Sequence, residues 1–94
     1  MVLHKVSTSP FIHMDLQQCL ARLQPSDGLV LTQNAVYAVL DPSLTSLLAD
    51  LRCVYLLKED AQARAVQVEN PHVKSIDYAE FVELSLEYTQ VMSW

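Results

Sequence analysis

The chain has 94 residues, of which 51% are hydrophobic and 18% charged, and its formal net charge is −5. A chain of this length supports one hydrophobic core, so we expect a single domain over residues 1–94. The six Lys and Arg residues are scattered between Lys5 and Lys74 and form no basic stripe, which argues against direct nucleic-acid binding.

The first half of the chain alternates patterns that are typical of strands and helices. After the capping residue Asp15, apolar residues recur at the spacings of one helical face. The turn residues Pro25 to Gly28 then lead into an apolar run of strand length. The segment 33–40 suits either a short helix or a strand, and we favour the helix. The predicted elements are a strand over Val2–Val6, a helix over 16–23, a strand over 29–31 and a short helix over 33–40.

The second half repeats this alternation and ends in the best-specified helix. Leucines at helical spacing follow a possible cap at Ser43, and a brief Ala- and Gln-rich helix follows the next apolar run. Asp77 and Glu80 form the pattern of a capping box in front of the last helix, which we expect to end near Thr89. The predicted elements are a helix over 44–51, a strand over 53–57, a helix over 58–66, a strand over Val73–Ile76 and a helix over 78–89.

This order predicts an α/β sandwich with a mainly parallel sheet and right-handed crossovers. Such sheets carry their sites at the carboxyl ends of the strands. Asp60 and Asp77 follow predicted strands and could act there as a base or nucleophile, but both stand where helix caps are expected, and we favour capping. A small-ligand or phospho-receiver site is a weaker alternative, because the paired acidic residues that hold a divalent ion are missing. The polar segments expected to converge at this edge are 7–9, 33–34, 58–60 and Asp77.

The sequence offers little support for a cofactor or a metal ion. Gly28 is the only glycine, and phosphate-binding loops need several. His4, His13 and His72 show no ligand-like spacing with each other or with a cysteine. We therefore expect neither a cofactor nor a metal site.

Membrane insertion and export are not expected either. The longest uninterrupted apolar run covers residues 35–40, far short of the ~20 residues of a membrane span. The first residues lack the basic start and apolar core of a signal peptide. We therefore expect a cytoplasmic chain in which Cys19 and Cys53 are free thiols.

Cys19 is the candidate catalytic residue, because a thiolate can attack a persulfide and then carry the transferred sulfur. Arg22, one helical turn further on, could favour the thiolate. The alternative is that Cys19 is a small core residue beside Leu16 and Leu20, since free cysteine is among the most buried residue types. For Cys53, which opens an apolar strand, we expect burial even more strongly.

The high apolar content has two interpretations. A parallel sheet covered on both faces needs near-continuous apolar strands. Apolar surface that meets a partner chain would raise the same percentage, and we favour this second interpretation. The chain is then one subunit of a larger assembly.

Several segments resemble the TusB/DsrH protein family. LHKVS at 3–7, with SPF at 9–11, resembles the family's LHTV…SPF opening, and VYA at 36–38 resembles its GVYAA segment. The resemblance extends over the whole chain. The stronger matches are YLLKED at 55–60, AR at 63–64, IDYA at 76–79, FV at 81–82 and the final Trp94.

The resemblance implies a flavodoxin-like, three-layer α/β subunit of the DsrE/F/H type within a heterohexamer of three related chains. The partners would be TusC-like and TusD-like chains, or their DsrF and DsrE counterparts. A TusBCD-type complex passes persulfide sulfur from a TusA-like to a TusE-like protein, for 2-thiolation of the tRNA wobble uridine. A DsrEFH-type complex serves sulfur oxidation instead, and we favour tRNA thiolation.

The resemblance also implies a non-catalytic subunit, because the principal sulfur-carrying cysteine lies on the TusD-type or DsrE-type chain. Cys19 stands where DsrH-like members carry a cysteine, which makes it a secondary candidate. Asn34 and Ala35 replace a common Asp-Gly pair, and Ala65 replaces a common glycine. Losing those residues should be tolerable only if the backbone there has helical φ.

Overall fold

A five-stranded parallel sheet forms the centre of the computed structural model, which describes residues 1–94. Its strands are β1 (Val2–Val6), β2 (Gly28–Leu31), β3 (Val54–Leu57), β4 (Val73–Ile76) and β5 (Gln90–Ser93). Their order across the sheet is β4-β3-β2-β1-β5, and every neighbouring pair is parallel. The α/β class and the parallel sheet predicted from the sequence are confirmed.

Five helical segments connect the strands. They are α1 (Asp15–Arg22), a 3-10 helix (Gln33–Leu40), α2 (Pro42–Ala49), α3 (Lys58–Ala63) and α4 (Tyr78–Glu87). The short helix predicted over 33–40 is confirmed, in the tighter 3-10 form. The helix predicted over 58–66 ends earlier, at Ala63.

The strand order distributes these helices unequally over the sheet. From β1 through β2 and β3 to β4 the chain steps in one direction, so right-handed crossovers place α1, the 3-10 helix, α2 and α3 on one face. The return from β4 to β5 runs the other way and places α4 alone on the opposite face. We call these the first face and the second face.

The two faces bury cores of very different size. The cluster on the first face contains 15 buried residues, with Leu31, Leu48 and Leu56 fully enclosed. The cluster on the second face contains 4: Leu3, Val30, Ile76 and Leu84. Most of the apolar burial that stabilises the fold therefore lies on the first face.

Strand β5 is absent from the sequence-based prediction. It pairs in parallel with β1, with Val91 opposite Leu3, and all four of its residues are exposed. Because the segment lacks the pattern of a buried strand, its conformation depends on pairing with β1 at the other end of the sequence. The last helix consequently ends at Glu87 and not near Thr89.

The helix caps agree with the sequence at one position and differ at two. The capping box is confirmed: the Asp77 carboxylate accepts from the Glu80 N–H at 2.8 Å, and the Glu80 carboxylate accepts from the Asp77 N–H at 3.1 Å. The predicted cap at Ser43 is wrong, because Asp41 caps α2 and accepts from the Ser43 N–H at 2.9 Å. The side chain of Asp15 caps no backbone N–H, since it accepts from the Thr8 hydroxyl at 2.7 Å.

The condition of helical φ is not met at Ala65, because its φ is +54°. The Ala65 N–H donates to the Gln62 carbonyl and the Val66 N–H to the Ala61 carbonyl, at 3.2 and 2.9 Å. These two bonds form a Schellman motif that ends α3 and needs a left-handed residue at position 65. Alanine there carries a steric cost that glycine would avoid.

Candidate functional site

The carboxyl edge of the sheet brings together two of the four predicted polar segments, 33–34 and 58–60, around Asp60, where Tyr78, the neighbour of Asp77, joins them. The Asp60 carboxylate accepts from the Gln33 N–H at 2.6 Å and from the Tyr78 hydroxyl at 3.3 Å. Gln33 has a φ of +47°, so this bond holds a backbone conformation that residues other than glycine rarely adopt. Asp60 lies in the first turn of α3, after the N-cap Leu57, so the predicted capping role is wrong. Asp60 instead ties the 3-10 helix to α4.

Arg64 completes this cluster. Its Nε donates to the Asn34 side-chain oxygen at 2.9 Å, and its Nη1 donates to the Asp60 carbonyl at 3.1 Å. The negative charge of Asp60, and after it desolvation, raise the pKa of Tyr78. The neighbouring cleft measures only about 100 Å³. Both Asp60 oxygens are thus engaged in hydrogen bonds that connect neighbouring elements.

Cys19, the candidate sulfur carrier, lies fully buried in the core of the first face. Burial, and then the negative charge of Asp27, raise the pKa of Cys19 to about 12. At pH 7 only about one thiol in 10⁵ is then ionised. Arg22 does not reverse this effect, because its guanidinium lies over the Trp94 ring, 5.6 Å from the centroid. The burial of Cys19 and its raised pKa favour the second interpretation given by the sequence, in which Cys19 is a small core residue.

A buried network beside Cys19 links His4, Asp27 and Trp94. Asp27 lies 3.0 Å from Nε2 of His4, and the Trp94 indole N–H donates to Nδ1 of His4 at 3.1 Å. Because Nδ1 accepts, Nε2 carries the proton and donates to Asp27, an assignment made from the hydrogen-bond pattern. The network therefore joins β1, the turn before β2 and the end of the sequence.

The charge of Asp27 is stabilised although the residue is buried. Burial alone would raise its pKa, but hydrogen bonds from the Val2 N–H, the Gln24 N–H and His4 outweigh burial and hold the pKa below its usual range. The sequence does not reveal this network, because the partners of Asp27 and His4 are far apart in the chain. The available signal was a histidine within a strand that is otherwise largely apolar, since a buried polar side chain requires a partner.

Cys53 is the more accessible of the two thiols, which contradicts the expectation of burial. It is half-buried, lies just before β3 and lines a cleft of about 370 Å³ with Asp27 and Arg52. Burial, and then the adjacent Cys53, raise the pKa of both Tyr55 and Tyr88. Cys53 therefore sits beside two protonated tyrosine hydroxyls.

Large apolar side chains remain exposed at several places on the surface. One set lies along α4 on the second face, where Leu86 is 80% exposed. Another lies in the loop after β1, where Ile12 is 79% exposed. Surface of this kind in a small chain is typical of protein interfaces. The exposed large apolar side chains are those of Met1, Phe11, Ile12, Met14, Leu40, Leu47, Tyr78, Val82, Leu86, Val91 and Met92.

Neither a membrane-spanning helix nor a group of metal-binding side chains is found in this structure. None of its helices has the length and apolar character needed to cross a lipid bilayer. No three His, Cys, Asp or Glu side chains are grouped so that they could hold a metal ion.

Comparison with protein families gives one match that covers most of the chain. Residues 8–91 match the family described as DsrH like protein. A protein of Pectobacterium parmentieri named Protein TusB is 39% identical over 99% of this chain and 100% of its own length. A Protein TusB of Erwinia tasmaniensis is 36% identical with the same coverage.

Two solved structures resemble the fold. The ychN protein from E. coli superposes with a TM-score of 0.79 over 99% of this chain and 97% of its own, at 15% identity. Protein Tm0979 from Thermotoga maritima superposes with a TM-score of 0.67 over 93% of this chain and 92% of its own, at 30% identity. The first likeness supports the fold only, because its sequence identity is low.

Proposed function

Because this chain belongs to the DsrH-like protein family, we propose that it is the TusB-type subunit of a heterohexameric sulfur-relay complex. Its partners in this proposal are TusC-like and TusD-like chains. The complex receives persulfide sulfur from a TusA-like protein and passes it to a TusE-like protein for 2-thiolation of the tRNA wobble uridine. The observation that carries the proposal is the full-length similarity to proteins named TusB.

The surroundings of Cys19 support a subunit in which this thiol does not carry the sulfur. A sulfur carrier needs an accessible thiolate, whereas Cys19 is enclosed and its pKa is raised to about 12. The exposed apolar side chains support the assembly part of the proposal, because partner chains would cover them.

A sulfur-oxidation complex of the DsrEFH type is the second candidate, and the match to the DsrH-like family favours it equally. The two pathways differ in their end product. Deleting the gene for this chain in its native host should abolish 2-thiouridine in tRNA if thiolation is the pathway. Normal 2-thiouridine together with a defect in sulfur oxidation would support the second candidate.

Co-expression tests the assembly directly. The chain, produced together with the TusC-like and TusD-like chains of the same genome, should elute as one species of hexamer mass. The control omits the TusD-like chain, which should prevent the hexamer. A chain that stays monomeric in the presence of both partners would contradict the proposal.

A persulfide-transfer assay tests the carrier role of Cys19. The chain is incubated with a persulfide donor and analysed by mass spectrometry, with Cys19→Ser and Cys53→Ser as matched variants. We expect no sulfur on Cys19 in the folded chain. One added sulfur that is lost in Cys19→Ser, and kept in Cys53→Ser, would establish a sulfurtransferase role for this chain.

A further inference from the structure

Helix α4 has three distinct sides. Phe81, Leu84 and Tyr88 point toward the small core of the second face. A second side, which we call the apolar flank, consists of the exposed residues Tyr78, Val82 and Leu86 at intervals of one turn. The third side, the acidic flank, consists of the exposed residues Glu80, Glu83 and Glu87.

The part of the acidic flank formed by Glu83 and Glu87 is unfavourable in the isolated chain. Glu83 and Glu87 are like charges four residues apart, a spacing that destabilises a helix. Glu87 lies in the last turn, where the helix dipole favours a cation, and that turn contains no basic residue. No Lys or Arg forms an ion pair within 4.0 Å with these carboxylates, although Lys74 lines the same cleft. Cations from another molecule would therefore stabilise this flank.

The apolar flank continues onto uncovered sheet. The acidic flank faces β3 and β4, because its glutamates line a cleft with Tyr55 and Lys74. The helical spacing then turns the apolar flank toward β1 and β5. There Val91 pairs with Leu3 and so lies on the second face, where it is 42% exposed. The surface thus combines an apolar area with one acidic border.

A second copy of this chain does not fit that surface. Its own α4 is acidic, its net charge is −5, and its Lys and Arg residues are scattered. We propose that α4 and β5 of the second face dock a different protein chain, one that presents an apolar patch bordered on one side by Lys or Arg. This inference rests on the proposed function and specifies which surface of the subunit meets a partner and what that partner must offer.

The test measures binding to the TusC-like and TusD-like chains for two kinds of α4 variant. Leu86→Asp should weaken binding at least about tenfold, because it places a charge in the apolar flank. The matched control is Leu47→Asp on α2, an exposed helical leucine of the first face, which should change binding by less than about threefold. Circular dichroism confirms that both variants are folded.

Reversing a charge on the acidic flank should change the stability of the chain and its partner binding in opposite directions. The variant Glu87→Lys should raise the melting temperature of the isolated chain by about 3 °C, because it replaces the like-charge pair with a pair of opposite charge and places a cation in the last turn, which suits the helix dipole. The same variant should weaken partner binding at least about tenfold and reduce its dependence on salt. A loss of binding caused by poor folding would lower the melting temperature instead.

The outcomes separate this inference from the proposed function. If the wild-type chain binds and the α4 variants bind equally well, the docking surface is wrong and the proposed function stands. If the wild-type chain binds neither partner, the proposed function fails and the inference fails with it. A second copy bound through Leu86 would appear as a concentration-dependent dimer that Leu86→Asp abolishes, and this result would also overturn the inference.

Discussion

The two faces of the sheet differ in how they use apolar residues. The first face covers its residues with four helical segments and a buried cluster of 15, whereas the second face has one helix over a cluster of 4. The same second face leaves Val82 and Leu86 of α4 in solvent. The difference teaches that a high hydrophobic content in a short chain can serve a core on one face and, in the proposed assembly, an interface on the other.

The comparison predicts that equal truncations have unequal effects. Leu48 on α2 is completely buried in the larger core, so Leu48→Ala should lower the free energy of unfolding by about 3–4 kcal/mol. Leu84 on α4 lies at the border of the smaller core, so Leu84→Ala should cost about 2 kcal/mol. Urea unfolding of both variants measures the difference. Equal costs would show that the second face carries as much of the stability as the first.

The buried network around Asp27 should make the stability of the chain depend on pH. Trp94, a member of this network, packs against the core of the first face. Asp27→Asn should lower the free energy of unfolding by about 2 kcal/mol at pH 7, because Asp27 accepts several hydrogen bonds as a carboxylate. The folded-state pKa of Asp27 is lowered, so its contribution is complete above the unfolded-state pKa of about 3.9. The contribution disappears as the pH falls through the lower folded-state pKa.

The matched control is Asp41→Asn. Hydrogen bonds from the Ser43 hydroxyl and the Ser43 N–H also lower the pKa of Asp41, but this carboxylate is exposed at the start of α2. Its effect on stability should be the smaller of the two at pH 7. A gap between wild type and Asp27→Asn that does not narrow below about pH 4 would contradict the charged network.

The sequence predicted those elements whose signals are local. The capping box of Asp77 and Glu80 and the four predicted strands are correct because short stretches of chain specify them. Strand β5 was missed because it exists through pairing with β1, far away in the sequence. The location of the polar cluster at the carboxyl edge of the sheet was predicted, but the role of Asp60 was not. Asp60 connects two elements and does not cap its own helix, and the sequence could not show this because its partner Gln33 lies 27 residues away.

The smallest expected effect tests the turn after α3. Ala65→Gly should raise the free energy of unfolding by about 1 kcal/mol, because glycine adopts the positive φ of this position without steric cost. The control is Ala63→Gly, two residues earlier at the end of α3, which should lower it by up to about 1 kcal/mol. Thermal unfolding should move the two melting temperatures in opposite directions, and a shift in the same direction would contradict the left-handed turn.

Backbone hydrogen exchange tests the division between the two faces most directly. Exchange is compared for the chain alone and in complex with the TusC-like and TusD-like chains. We predict that binding slows exchange in α4 and β5 and leaves α2 and α3 of the first face unchanged. Slower exchange confined to α2 and α3, with α4 unchanged, would show that the exposed flank of α4 is not the interface and would contradict the account.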